Sequence, residues 1–370
     1  MRQLIFVLIL LLATPAFADG YRQVNLAANQ QIYAPIIIDK NMQNAWGMAI
    51  RPAGAGGHFW ISNTDTGTVS LYVGDVGDKK LYQDDIQLIT VPAAKRGKTG
   101  SPTGQVFNPK ADEFIVTQDG ITAGSKFIFA SEDGVITAWT EQKTPNGVKR
   151  PSFATITVDQ SANGAIYKGL AISNRGQGNY IYAADFANRR IDVFGPNWQR
   201  VALPKTAFDA PGVPKNYAPF NIESFGDKIF VAYAKTTKAR GEEAAGAGLG
   251  YVAEFDFDGN LQRVLEGRGK LNAPWGMAMA PDNFGPASGQ LLVGNFGDGT
   301  IIGFDLASGK QTDYLRTANG DPVAIDGLWD IMFGNGQSLG EANHLYFAAG
   351  PRDESDGLFG KLLFEPTLTN

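Results

Sequence analysis

The chain of 370 residues holds two histidines, His58 and His344, and no cysteine. Thiol nucleophiles and thiolate metal sites are therefore excluded by composition. A Ser-His-Asp set or a histidine-ligated zinc needs convergent partners. Both histidines instead open equivalent apolar runs, His58 to Asn63 and His344 to Ala349, which places them at the rim opposite the polar residues considered next. Oxygen donors remain. Asp185, Asn221, Glu223 and Asn295 could together ligate a hard cation such as Ca²⁺, which would polarise a carbonyl or activate water. No linear calcium-loop spacing joins them, so their grouping depends on the fold.

These residues matter because they sit in, or depart from, a repeat. Six copies of one motif read Trp46-Gly47-Met48-Ala49-Ile50, Thr103-Gly104-Gln105-Val106-Phe107, Lys168-Gly169-Leu170-Ala171-Ile172, Phe220-Asn221-Ile222-Glu223-Ser224, Trp275-Gly276-Met277-Ala278-Met279 and Trp329-Asp330-Ile331-Met332-Phe333. Their second positions are 57, 65, 52, 55 and 54 residues apart, a period characteristic of repeat architectures. Position two is Gly except at Asn221 and Asp330, and position four is small or apolar except at Glu223. Polar side chains at innermost-strand positions need partners. They belong either to a hydrogen-bonded structural network or to a central ligand or metal site.

Position one carries Trp46, Trp275 and Trp329. Large aromatics there either pack between repeats or form a collar for a flat ligand. Lys168 takes the same position in the third copy, where it could meet an acidic group of a ligand or nearby carboxylates.

After each motif and a turn comes a second apolar run: His58 to Asn63, Glu113 to Gln118, Tyr180 to Asp185, Lys228 to Tyr233, Gln290 to Asn295 and His344 to Ala349. Asn63, Gln118, Asp185 and Asn295 end four of these runs. Such residues form turns readily, and the turn reading stands beside a ligand role. A third run follows in every copy. Three or four antiparallel strands per unit, repeated six times, predict an all-β, six-bladed β-propeller. The last copy runs out of chain after its third strand, while Tyr21 to Leu26 precedes the first copy. This N-terminal strand is expected to join the last blade and close the ring.

In that fold the start of the first strand, the end of the second and the loop beyond share one rim, the expected ligand face. Trp46, Asn63, Gln118, Lys168, Asp185, Asn221, Glu223, Trp275, Asn295 and Asp330 are its candidate residues. The connection from Lys235 to Gly250 lies on the same rim, with the composition of a mobile lid or of a tolerated insertion.

Residues 1–18 read as a secretory signal peptide: Arg2, the apolar run Leu4 to Leu12, then Ala16-Phe17-Ala18. Residues 19–370 form the single propeller domain, periplasmic or secreted. The formal charge of −5 and the lack of a basic block argue against nucleic acid. No segment after the leader reaches the about 20 apolar residues of a membrane span, so membrane insertion is not expected. The expected partner is a small molecule, glycan or protein, bound by a monomer, with Ca²⁺ as the possible cofactor.

The phrases Asn44-Ala45-Trp46-Gly47-Met48-Ala49, Asn272-Ala273-Pro274-Trp275-Gly276-Met277-Ala278, Phe59-Trp60-Ile61-Ser62-Asn63-Thr64-Asp65-Thr66-Gly67 and Gly294-Asn295-Phe296-Gly297-Asp298-Gly299 resemble an uncharacterised family of exported bacterial six-bladed propellers. More distantly, the blades are similar to NHL-type and lactonase-type propellers. The first resemblance covers essentially the whole chain after the leader and implies the fold without an activity. The expected function is that of an extracytoplasmic binding or interaction propeller. Its rivals are a Ca²⁺-dependent hydrolase or lactonase, and a structural component of an exported matrix or envelope assembly.

Overall fold

A computed structural model describes residues 19–145 and 147–366; the leader at 1–18 lies outside the described residues. Among these, six antiparallel sheets are arranged around one axis as a β-propeller. Their innermost strands are Ala45–Ala49, Pro102–Phe107, Tyr167–Asn174, Tyr217–Phe225, Pro274–Met279 and Leu328–Phe333, the six copies of the sequence motif. Each strand contacts the innermost strands of both neighbouring blades, and the last contacts the first. Apolar side chains alternate to the two faces of each blade and meet those of the next, so the core is a series of clusters at the blade seams rather than one central mass. No described helix is long and apolar enough to cross a membrane.

The ring closes as expected. Gly20–Ala28 pairs antiparallel with Leu358–Glu365 as the outer strand of blade six. The Tyr21 hydroxyl donates to the Phe284 carbonyl at 2.7 Å, and the Tyr21 amide to the Arg316 carbonyl at 2.8 Å. Both acceptors lie in blade five, so the closing strand also ties two blades together.

One irregularity recurs in all six blades. The residue two places before motif position two pairs with the end of the second strand, and the register then slips by one. Such a bulge kinks the strand and sharpens its twist, turning the start of each innermost strand toward the axis. Position two then approaches the next blade closely. A Cβ on Gly47 would lie 2.4 Å from the Thr103 carbonyl oxygen, and one on Gly276 2.7 Å from that of Trp329. Only glycine fits where two backbones meet so closely.

One sequence expectation needs correction here, and one alternative is decided. The second strand of blade two is Phe127–Ser131, not Glu113 to Gln118. Ile115–Gln118 instead pairs with Ile121–Gly124 as a separate hairpin, whose turn residues Asp119 and Gly120 both have positive φ, 48° and 74°, as a two-residue hairpin turn of the right twist requires. This insertion explains the longest repeat spacing. Of the two readings of the connection after Lys235, the structure fits the tolerated insertion: the second strand of blade four runs on to Thr236, and Glu243–Ala244 pairs with Thr236 and Lys235.

Candidate functional site

The axis is closed at one end and open at the other. At the closed end the position-one side chains converge in an aromatic plug. Trp329 lies between Trp46 and Phe296, with ring centroids 3.5 and 3.9 Å away and planes within 14° and 19°. Trp275 meets Trp46 and Trp329 edge-on, at 6.1 Å each. All three tryptophans are buried. The packing alternative therefore holds for Trp46 and Trp275, and no collar open to a ligand forms. The Trp329 indole donates to the Asn44 side-chain oxygen at 2.8 Å, and the Asn44 amide donates to Glu354 at 2.7 Å. Glu354 is presented by three successive non-glycine residues of positive φ, Arg352, Asp353 and Glu354 at 59°, 51° and 66°, a conformation that costs an L-residue about 1–2 kcal/mol.

Lys168 is part of this plug. Its ammonium lies 4.9 Å from the Trp46 ring centroid and 2.6 Å from Glu132, with Glu243 at 3.8 Å. Burial opposes its charge, but the Glu132 and Glu243 carboxylates outweigh that and hold its pKa above the ordinary lysine value. Burial and the charge of Glu243 push Glu354 up to about 7. Lys168 thus meets carboxylates of its own chain, one of the two roles expected for it.

The open end is a funnel of about 390 Å³ lined by the later residues of the innermost strands. Its walls include Met48, Met277, Met279 and Met332, the aliphatic Ile50, Val106 and Ile172, and the rings Phe107, Phe225 and Phe333. Glu223, Asp330 and Gln105 also line it. Asp330 accepts hydrogen bonds from the backbone N–H groups of Met48, 2.7 Å, and Ile331, 2.8 Å. Burial nevertheless pushes its pKa up to about 7. Enclosure raises Glu223 well above the usual carboxylate range, and the charge of Asp330 raises it further. No lysine, arginine or histidine is among the residues that line the funnel. The Gln105 amide donates to the carbonyls of Gly47 and Trp60 at 2.7 and 3.0 Å, and its oxygen, buried, has no partner among the described residues.

The candidate residues are therefore divided. Glu223 and Asp330 come together in the funnel, which opens at the rim opposite the expected one. Asn221 bridges the seam to blade five, donating to the Trp275 carbonyl at 2.9 Å. Asn63 donates to Ser70 and Thr68 within its own blade, at 2.8 and 3.1 Å. Asp185 accepts from Asn188 at 2.7 Å and from the Ile166 amide at 3.2 Å. Asn295 accepts from the Asn272 amide at 3.0 Å and donates to the Lys270 carbonyl at 3.0 Å. The turn and blade-bracing alternative holds for these three.

Gln118 is displaced altogether. It fastens the inserted hairpin to blade two through the Thr140 amide and the Phe153 carbonyl. The proposed calcium quartet is likewise not assembled: Asp185 and Asn295 are engaged by turns of blades three and five, while Glu223 faces Asp330. No cluster of three or more acidic or histidine side chains suited to a metal occurs among the described residues.

Gln105 escaped the sequence reading, although it breaks its own column. Position three is otherwise Met48, Leu170, Ile222, Met277 and Ile331, the same kind of exception that marked Glu223 at position four. Glu132, Glu243 and Glu354 gave no comparable signal, because they stand outside the six repeat motifs.

Comparison with known proteins fits this architecture. Uncharacterized protein R648 of Acanthamoeba polyphaga mimivirus is 32% identical over 327 residues, spanning 88% of this chain and 76% of the viral one. Uncharacterized protein L690 of the same virus is 31% identical over 339 residues, spanning 89% and 82%. The chain belongs to the family of these viral proteins. No protein-family model matches it. Among solved structures, a protein of unknown function from Bacteroides thetaiotaomicron shares the fold, with a TM-score of 0.52 at 13% identity over 94% of this chain and 76% of that one. A gluconolactonase from Xanthomonas campestris superposes more loosely, with a TM-score of 0.37 at 16% identity over 65% of this chain and 82% of that one, too loosely to bear on activity.

Proposed function

We propose that this chain is an extracytoplasmic binding propeller that takes a small, mainly apolar molecule into the open end of its axis. The observation that carries this reading is the funnel itself, a cavity of about 390 Å³ in which methionine, aliphatic and phenylalanine side chains share the lining with Gln105, Glu223 and Asp330. Apolar side chains around a few convergent polar groups are common in small-molecule sites, and this volume lies within the usual range of about 300–1,000 Å³. The plug of Trp46, Trp275 and Trp329 makes the cavity blind, so a ligand enters and leaves by one mouth. The extracytoplasmic placement rests on the order of residues in the leader and on the resemblance to exported bacterial propellers.

The reading is tested by isothermal titration of the full chain with a panel of small apolar molecules. Saturable binding is expected, and Ser224→Trp, which narrows the mouth, should abolish it. A panel that fails to bind, or binding that Ser224→Trp leaves intact, overturns the funnel as the ligand site. A calcium-centred hydrolase is less well supported, because Asp185 and Asn295 are committed to their own blades.

A further inference from the structure

The inference that follows rests on the funnel being the ligand site and names the class of ligand it selects. Two carboxyl groups, Glu223 and Asp330, stand in the funnel beside Gln105, whose side-chain oxygen is buried without a donor. The donors that these groups do have are backbone amides at Asp330 and Glu223, and no lysine, arginine or histidine is among the residues that line the funnel. Burial by itself favours the protonated form of both groups, and a cation seated between them would draw out the ionised, acceptor form, whose charge is expensive there without a partner. We propose that the funnel selects ligands carrying an alkylammonium group on an apolar body, with the ammonium seated at Glu223 and Asp330 and the body against the methionine and phenylalanine walls.

Three alternatives fit less well. A hard divalent cation wants six or more oxygen ligands, whereas two carboxyl groups and one amide oxygen are offered here among thioether, aliphatic and aromatic walls. A ligand carboxylate or phosphate would meet two acidic groups and no counter-charge. An uncharged alcohol would make one hydrogen bond and bring no charge to match the ionised form of the pair. An ammonium supplies up to three donors together with the missing positive charge. Methionine side chains reshape readily around bodies of different outline, so selectivity is expected to lie in the ammonium rather than in the skeleton.

The test is isothermal titration of the full chain with hexylammonium, 1-hexanol and hexanoate, which share one skeleton. Hexylammonium is expected to bind at least about tenfold more tightly than 1-hexanol, and hexanoate most weakly. Glu223→Gln should remove the amine preference while 1-hexanol still binds. Equal affinities for amine and alcohol in the unaltered protein would overturn the ammonium assignment and leave the funnel as an apolar site. An amine preference that persists in both Glu223→Gln and Asp330→Asn would also overturn it, by placing the ammonium elsewhere. Failure of all three compounds to bind would strike at the funnel reading itself. Circular dichroism reports whether each variant folds. If Glu223→Gln does not fold, Ser224→Trp decides the matter, since hexylammonium binding that survives it sinks the assignment.

Discussion

Asp330 accepts the backbone N–H of Met48 at 2.7 Å across the seam between the last blade and the first. In four blades position two is a glycine against which the neighbouring backbone packs; at this seam a carboxylate spans the distance instead. Its other oxygen takes the Ile331 amide at 2.8 Å, so one side chain satisfies two buried donors. The same carboxylate belongs to the funnel, and the closure of the ring and the floor of the site thus depend on one residue.

Asp330→Ala should therefore destabilise the whole domain. Leaving two buried N–H groups unpaired costs about 1–3 kcal/mol each. A loss of roughly 2–5 kcal/mol in urea unfolding is expected, and a change below about 0.5 kcal/mol, typical of ordinary surface substitutions, would show that the seam does not rely on this carboxylate.

The pH dependence of stability follows from the raised pKa values of Glu223 and Asp330. In the folded chain these groups hold protons that the unfolded chain has already released, so unfolding becomes easier as pH rises from the ordinary carboxylate range to about 7 and above. Glu223→Gln removes the repulsion between the pair. The stability difference, variant minus parent, should be near zero at pH 4 and grow in favour of the variant as pH rises to 8, because only the parent must then either ionise the buried pair or hold its proton against solvent. His58 and His344, whose pKa values are lowered by burial, act in the opposite sense but equally in both proteins. A difference that stays flat in melting experiments between pH 4 and pH 8 would refute the coupling.

Lys168→Met should destabilise by about 3–5 kcal/mol, because it leaves Glu243, and in part Glu132, without a counter-charge. Glu243→Gln in the same chain should recover part of that loss. The double variant is compared with the two single ones by chemical denaturation; strict additivity would mean that Lys168 and Glu243 do not act on one another.

Removal of the residues before Asn41 withdraws the outer strand of blade six and uncovers the edge of Leu358–Glu365. Loss of the buried side chains of Tyr21 and Leu26, together with the strand pairing, is expected to cost at least about 5 kcal/mol. A shortened chain that melts within a few degrees of the parent would contradict the closure.

Much of the architecture was legible because a propeller writes its fold as a period. Six motifs and a strand-like segment before the first were enough to place the blades and the closing strand. Gln118 was misplaced for a physical reason: Ile115–Gln118 alternates like a blade strand, and a local pattern cannot tell a strand paired with its blade from one paired within an inserted hairpin. Asn221, Glu223 and Asp330 were marked by breaking the repeat. Their direction was not legible, since the bulge and the plug decide which end of the axis is open, and both arise from packing between distant residues such as Trp46 and Trp329. Gln105 shows that the same column-by-column comparison had further to go.

The pairing of Gly20–Ala28 with Leu358–Glu365 also governs when this molecule can become itself. The earliest-made strand of the domain waits for one of the last, so the ring cannot be completed while the ribosome still holds the final blade. Long-range pairing of this kind makes folding slow compared with chains built from local contacts. Until the two ends meet, the nascent chain is an open fan with its outermost strands unguarded.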